Sequence, residues 1–136
     1  MPISEHRYHR RVQFADTDSA GVVHFSWIVK YMEEAEHALW REAGLTIAPA
    51  DGIVGYPRVA LGVDFKAPLQ FEDEFEVHVR IEAISRRTIR YAHTIRRGET
   101  VIAIGTMTAA CVQKVPAPMR SIEIPPDVLA RLTIHA

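Results

Sequence analysis

The segment SWIVKYMEEAEHALWREA, residues 26–43, is the longest helical pattern in the chain and decides the fold. Its apolar side chains recur at the spacing of one helix face, and its charged side chains fall on the opposite face. The apolar face carries Ile28, Tyr31, Met32, Ala35, Ala38 and Leu39, and the polar face carries Lys30, Glu33, Glu34, His37 and Arg41. We expect Ser26 to cap the start of this helix and Gly44 to end it in a left-handed conformation.

Alternation of apolar and polar residues dominates the chain beyond a loop that contains Pro49, Gly52, Gly55 and Pro57. The alternation predicts strands near residues 8–14, 59–66, 74–83, 89–95 and 101–112, and a short helix over residues 127–132. This order of elements predicts an α+β fold in which a curved antiparallel sheet of about five strands wraps around one long central helix. Because the sheet would keep unprotected edges, we expect at least a homodimer.

Length and composition restrict the class of protein. The 136 residues are 48% hydrophobic and 24% charged with a net charge of −1, as expected of a single domain spanning residues 1–136. No basic excess indicates binding to nucleic acid. The lone Cys111 excludes an intramolecular disulfide framework and fits a reducing compartment. No apolar run is long enough to span a bilayer and residues 1–11 do not resemble a signal region, so we expect a cytoplasmic protein without membrane contact.

The segment FADTDSAGVVHF, residues 14–25, lies directly before the predicted helix and contains the candidate chemistry. Asp16 and Asp18 precede a turn at Gly21, and the exposed amides of the helix start follow. A carboxylate that can act as base or nucleophile would therefore lie near donors that can hold a developing oxyanion. The segment predicts a site for acyl transfer.

These residues resemble a known family. Asp16-Thr-Asp-Ser-Ala-Gly-Val-Val23, followed by Tyr31 and Glu34-Ala-Glu36, is similar to the motif of the hotdog-fold acyl-CoA thioesterases. The nearest group is the 4-hydroxybenzoyl-CoA thioesterase family, which includes the Tol-Pal-associated acyl-CoA thioesterases. The resemblance implies hydrolysis of an acyl-CoA to a carboxylic acid and free CoA, without a metal or a separate cofactor. It also implies a homodimer or homotetramer with the substrate near the subunit interface.

The resemblance further implies individual roles. Asp18 would be the catalytic carboxylate, as nucleophile or as general base, and the backbone amide of Phe25 would polarise the thioester carbonyl. Gly21 would let the backbone approach the substrate closely. Asp16 is expected to be structural, bound to backbone amides or to an arginine.

Other residues are weaker candidates for substrate binding. His24 is expected at the mouth of the pocket, and Tyr31 either lines the acyl pocket or packs between helix and sheet. Arg86 and Arg87 in a predicted turn could bind the phosphates of CoA, because guanidinium groups bind phosphate in bidentate fashion. A solvated basic turn is the alternative for this pair. His93 lies on an apolar strand face and is expected to be a core or interface histidine.

Three alternatives remain open at this stage. The chain could bind acyl-CoA or an acyl-carrier protein without catalysis, since a fold does not determine a function. It could be a hotdog hydratase or dehydratase that uses His24 with Glu33 or Glu34. A metal held by Asp16, Asp18 and His24 is the third, but their spacing matches no strong ligand signature, and we expect no metal.

Overall fold

The computed structural model describes all residues from 1 to 136. Its elements in chain order are strand β1 (Glu5–Arg11), helix α1 (Phe25–Glu42), strands β2 (Val54–Gly55), β3 (Arg58–Phe65), β4 (Glu74–Ile84), β5 (Thr88–Arg97), β6 (Thr100–Ala110), β7 (Val112–Gln113) and β8 (Arg120–Ser121), and helix α2 (Pro126–Arg131). The five long strands form one antiparallel sheet in the order β1-β4-β5-β6-β3. The predicted α+β architecture, one sheet around one long helix, is confirmed.

Helix α1 packs its apolar face on the inner face of the sheet. The face predicted from the spacing is buried, and Glu36 and Trp40 are buried beside it. Two polar contacts fasten the helix to strand β5: the indole Nε1 of Trp40 donates to the hydroxyl of Tyr91 at 2.8 Å, and Nε2 of His93 lies 2.7 Å from Oε2 of Glu36. The expectation of a hydrogen-bonded core histidine at position 93 is confirmed.

The N-terminus of α1 differs from the prediction, whereas its C-terminus agrees with it. The prediction of Ser26 as N-cap is wrong: the helix begins at Phe25, and Nδ1 of His24 accepts the amide of Ser26 at 3.2 Å. An imidazole nitrogen thus replaces the side-chain oxygen that usually caps a helix. At the other end Gly44 has φ of +78°, and Leu45 N donates to Trp40 O at 2.9 Å, which is the Schellman motif.

The five predicted long strands are present, with corrections at the ends. The first spans Glu5–Arg11 and not residues 8–14, because the chain turns into a 3₁₀ helix at Phe14. The last long strand stops at Ala110 instead of continuing to Val112, because β7 turns away and pairs with β2 and β8 in a second sheet of three short strands. Helix α2 begins at Pro126, one residue before the predicted start, with a proline in its first turn where no backbone donor is needed. No helix of the protein has the length and apolar character needed to cross a bilayer.

Strand β3 is an open edge of the main sheet with an apolar inner face. Its residues Leu61 and Phe65 lie opposite the buried Met107 and Ala103 of β6, so they face the same side as the core. Nevertheless Leu61 is 53% and Phe65 55% exposed. An edge strand that leaves apolar side chains and unpaired backbone groups in solvent is a surface suited to another chain.

Candidate active site

A tight turn between β1 and α1 carries the acidic motif. Residues 14–16 form one turn of 3₁₀ helix, after which Thr17 bridges to Val23 and the amide of Asp18 donates to the carbonyl of Val22 at 2.8 Å. Gly21 has φ of +84°, a conformation that residues with a Cβ rarely adopt. The sequence forms a compact loop here because glycine permits this reversal immediately before the helix.

Asp16 is a buried structural residue, as predicted. Its side chain is 2% exposed, and its Oδ2 accepts from the hydroxyl of Tyr31 at 2.6 Å, Nη1 of Arg10 at 2.7 Å and the amide of Gln13 at 3.0 Å. Burial alone would raise the pKa of Asp16, but the hydrogen bonds from Tyr31, Gln13 and Arg10 outweigh it and hold the pKa below its usual range. The carboxylate therefore stays charged and ties β1, the motif and α1 together.

Tyr31 is placed differently from the expectation of a pocket residue. Its side chain has no solvent exposure, and its hydroxyl donates a hydrogen bond to Asp16. Burial and the adjacent carboxylate raise the pKa of Tyr31 far above its usual value, which keeps the phenol protonated as a donor. Tyr31 thus supports the motif from the core, in line with the expected packing between helix and sheet.

Asp18 lies at the surface of the turn and is half-buried. Its Oδ1 accepts from the amide of Ala20 at 2.8 Å and from that of Val22 at 3.4 Å, while its other carboxylate oxygen makes no hydrogen bond within the chain. The first oxygen shapes the turn as aspartates in turns commonly do. The second oxygen remains free to accept a proton or to attack a carbon.

The start of α1 presents one free donor beside this turn. The amide of Ser26 donates to the side chain of His24 and the amide of Trp27 donates to its carbonyl. The Phe25 amide donates to no atom of the chain. The first amides of a helix carry the positive end of its dipole and favour negative charge. The amide of Phe25 is therefore available to a developing oxyanion.

His24 has a structural task that the sequence did not reveal. Its Nδ1 contacts both the amide and the hydroxyl of Ser26, and its ring packs against that of Phe25 with centroids 4.5 Å apart. The residue is half-buried at the rim of the motif. Only Nε2 remains for the predicted contact with substrate.

An apolar cleft adjoins the turn and the free amide. Its volume is about 320 Å³, and it is lined by Val22, Val23, Phe25, Ile28 and residues 65–69. The amide of Val23 donates to the carbonyl of Leu69 at 2.8 Å and so fixes the second wall against the motif. Residues 65–69 were not predicted as part of the site.

Arg86 and Arg87 are exposed, but the chain does not bring them to the motif. Strand β1 leads into the motif beside the start of β4, since Arg11 pairs with Glu74, whereas the turn with both arginines follows the end of β4. The 11 residues of β4 separate the two ends by roughly 30 Å at about 3.3 Å per residue. Within one protomer the arginine turn and the motif therefore lie near opposite ends of β4.

The pairing expected of a hydratase is not formed. Glu34 accepts from the hydroxyl of Tyr8 at 2.9 Å and pairs with Nε of Arg10 at 2.8 Å, Glu33 is exposed, and His24 contacts neither. The protein contains no group of three or more potential metal-ligating side chains. The arrangement of Asp18, the Phe25 amide and the cleft instead suits addition of a nucleophile to a carbonyl carbon.

A long helix inside a curved antiparallel sheet, with an acid-and-glycine turn at its first amides, defines a hotdog-fold thioesterase. The sequence profile of the thioesterase-like superfamily matches residues 12–132, and the chain belongs to this family. The resemblance inferred from the motif is confirmed.

Relatives with more specific names support the class. A 1,4-dihydroxy-2-naphthoyl-CoA hydrolase of Parasynechococcus marenigrum is 32% identical over 73% of this chain and 71% of its own length. The structure of a gentisyl-coenzyme A thioesterase superposes with a TM-score of 0.83 at 30% identity, over 91% of this chain and 99% of that chain. A hypothetical protein of Aquifex aeolicus superposes with a TM-score of 0.86 at 29% identity, over 94% of this chain and 99% of that chain.

Proposed function

We propose that this protein hydrolyses acyl-CoA thioesters to a carboxylic acid and free CoA. One observation supports the proposal: a single turn of chain carries Asp18 with a free carboxylate oxygen and Phe25 with an unpaired amide, and Val22, whose amide Asp18 binds, lines an apolar cleft together with Phe25. Hydrolysis of a thioester needs these three features. They are a base or nucleophile for the carbonyl carbon, a hydrogen-bond donor for the carbonyl oxygen, and a binding site for the acyl group or the pantetheine chain.

Two routes use the same atoms. As general base, Asp18 takes a proton from water while the water oxygen attacks the carbonyl carbon; the oxyanion, held by the Phe25 amide, then collapses and expels the CoA thiolate, which receives that proton. As nucleophile, the carboxylate of Asp18 itself displaces the thiolate to give a mixed anhydride, which water hydrolyses. Both routes are complete with a carboxylate, a backbone amide and water, so the proposal includes no metal or further cofactor.

Substitution of Asp18 by asparagine tests the proposal. We expect kcat for release of free thiol to fall by about 100-fold or more, because the amide can neither accept the proton nor attack. Circular dichroism and thermal melting should be unchanged, since the amide oxygen can still accept the turn's backbone donors. Asp127→Asn, at an exposed position of α2, is the matched control. An Asp18→Asn protein of full activity would reject the mechanism, and tight acyl-CoA binding without thiol release by the wild type would favour a binding module.

We further propose that the protein is a homodimer in which strand β3 pairs with β3 of a second copy. The other edge of the sheet is protected: β1 carries charged residues, and Ile3 next to it bridges to Leu132 of the C-terminal segment. Strand β3 has no such cover and exposes Val59, Leu61 and Phe65. Pairing would satisfy its free backbone groups and bury this apolar row.

Antiparallel pairing would also complete the site. The end of β3 with Phe65 lines the cleft, and its start lies at the same end of the sheet as the Arg86–Arg87 turn, since Arg58 pairs with Ala109 and Thr88 with Ala110. A twofold axis through the middle of β3 brings the partner's start of β3, and with it the partner's arginine turn, toward the first protomer's cleft. On this proposal the arginines bind the CoA phosphates in trans.

A further inference from the structure

The apolar cleft also carries information about the acyl group. It begins at the residue whose amide is proposed to hold the oxyanion, because Phe25 and Val22 are part of its lining, and Oδ1 of Asp18 accepts a hydrogen bond from the amide of that same Val22. A thioester whose carbonyl lies at Phe25 would therefore place either its acyl group or its pantetheine chain in the cleft. A volume of about 320 Å³ is at the lower end of small-molecule sites, which suits a compact acyl group.

The cleft offers almost no polar side chain. Lys66 is the one polar residue in its lining, and Lys66 is exposed. The floor consists of Val23, Ile28 and Leu69, all of which are buried. The neighbouring side chains of β3 on the same side, Leu61 and Val63, are apolar too, and the guanidinium of Arg58 at the start of that strand is bound by Glu36.

The polar groups buried nearby do not compensate. Oδ2 of Asp16 already accepts from three donors, and the hydroxyl of Tyr31 is one of them. The pair of Glu36 and His93 is enclosed in the core without solvent exposure. None of these four residues lines the cleft. A hydroxyl group that a ligand carries to the buried floor formed by Val23, Ile28 and Leu69 would thus lose its water partners without gaining a side-chain partner.

We propose that the substrate carries a compact apolar acyl group, aliphatic or unsubstituted aromatic, and that hydroxylated aromatic acyl groups are disfavoured. The inference rests on the proposed thioesterase function and names the substrate class of that same site. It separates this chain from relatives whose names specify dihydroxynaphthoyl and gentisyl groups, both of which are hydroxylated rings. An apolar pocket that lacks a partner for an added hydroxyl discriminates against it by up to about 100-fold.

The test compares three CoA esters with the wild-type protein in a thiol-release assay. Benzoyl-CoA and 4-hydroxybenzoyl-CoA differ by a single hydroxyl, and hexanoyl-CoA represents the aliphatic class. We expect kcat/KM for benzoyl-CoA to exceed that for 4-hydroxybenzoyl-CoA by about 10- to 100-fold. Equal values, or a preference for the hydroxylated ester, would overturn the inference and leave the thioesterase function standing. Hydrolysis of none of the three esters would overturn the proposed function and the inference with it.

A cleft variant shows which arm of the substrate the cleft holds. Phe65→Ala enlarges the cleft at a position that is exposed in the single protomer, so the protomer should fold, and light scattering checks that the variant keeps the oligomeric state of the wild type. We expect the ratio of kcat/KM for decanoyl-CoA to that for hexanoyl-CoA to rise several-fold over wild type. Phe71→Ala is the matched control, because Phe71 is an exposed phenylalanine outside the lining. An equal effect of Phe65→Ala on every ester would assign the cleft to the pantetheine arm, which all of them share, and would overturn the inference.

Discussion

Asp16 and Asp18 are separated by one residue, and the surroundings of their carboxylates differ in the features that matter for chemistry. Asp16 is buried, and Tyr31, Arg10 and Gln13 donate to its Oδ2. Asp18 is half-buried, and backbone amides bind only one of its oxygens. A carboxylate with three strong donors is a poor base, because those donors stabilise its charge. This difference is why the proposed mechanism uses Asp18 and not Asp16.

The hydrogen bond from Tyr31 to Asp16 has a predictable effect on stability. We expect Tyr31→Phe to lower the free energy of unfolding at pH 7 by about 2 kcal/mol, because a charged, buried acceptor loses a donor. Urea denaturation measures the change. Tyr8→Phe is the control: the hydroxyl of Tyr8 donates to Glu34 in a partly exposed position, and its loss should have a smaller effect.

The same bond predicts a dependence on pH. The pKa of Asp16 is lower in the folded protein than its ordinary value of about 3.9, so its contribution to stability is present above about pH 4. That contribution is lost as the pH falls through the folded pKa. The difference in the free energy of unfolding between wild type and Tyr31→Phe should thus have its full size at pH 7 and decrease below about pH 4. A difference that is constant down to pH 2 would show that the lost hydroxyl acts without Asp16.

At the scale of elements, helix α1 serves both stability and the site. Its first amide faces the motif, and its middle is tied to the sheet by Glu36, which pairs with His93 of β5 and with Arg58 of β3. His93 Nδ1 has no hydrogen-bond partner, so the contact of Nε2 with Glu36 is the only side-chain hydrogen bond of this buried ring. The carboxylate of Glu36 therefore joins the central helix to an inner strand and to the open edge strand.

Loss of the contacts of Glu36 should lower the stability of the protein strongly. Glu36→Ala leaves the Arg58 guanidinium and a buried imidazole without their acceptor, and we expect the free energy of unfolding to fall by about 3–5 kcal/mol. Glu33→Ala, on the exposed face of the same helix, should stay within about 0.5 kcal/mol of wild type. Denaturant titration of both variants gives the comparison. Similar small losses in both would mean that Glu36 contributes no more than a solvated surface acid.

Local patterns predicted the elements well because each depends on residues close in sequence. The spacing of apolar residues in α1, the alternation in β4 and the glycine after the helix are signals of this kind. The partners of Glu36 and the second wall of the cleft were missed, because they join residues that are far apart in the chain. His24 was missed as a cap for another reason: its imidazole performs a task for which Ser26 is the commoner residue.

At the scale of the whole molecule, the Asp18 turn and the Arg86–Arg87 turn lie near opposite ends of β4, and on the proposed dimer the arginines serve the site of the other protomer. The side chains of both arginines make no hydrogen bond or ion pair within the chain, while their carbonyls hold the turn to Cys111 and Ile124. Replacement by alanine would thus remove two cations and preserve the backbone contacts. We expect Arg86→Ala/Arg87→Ala to raise KM for acyl-CoA substrates, because phosphate contacts bind substrate and transition state alike.

Mixed dimers test the arrangement in trans. A dimer of one Asp18→Asn protomer and one Arg86→Ala/Arg87→Ala protomer contains one complete site if the arginines serve the partner's Asp18. Co-refolding of the two weak variants in equal amounts should therefore restore about a quarter of wild-type activity at a substrate concentration where each alone is nearly inactive. Leu61→Glu in both variants places a charge on the β3 edge, should yield monomers by light scattering, and should abolish the recovery. Mixed dimers that form without any recovery of activity would show that the arginines do not complete the site of the other protomer.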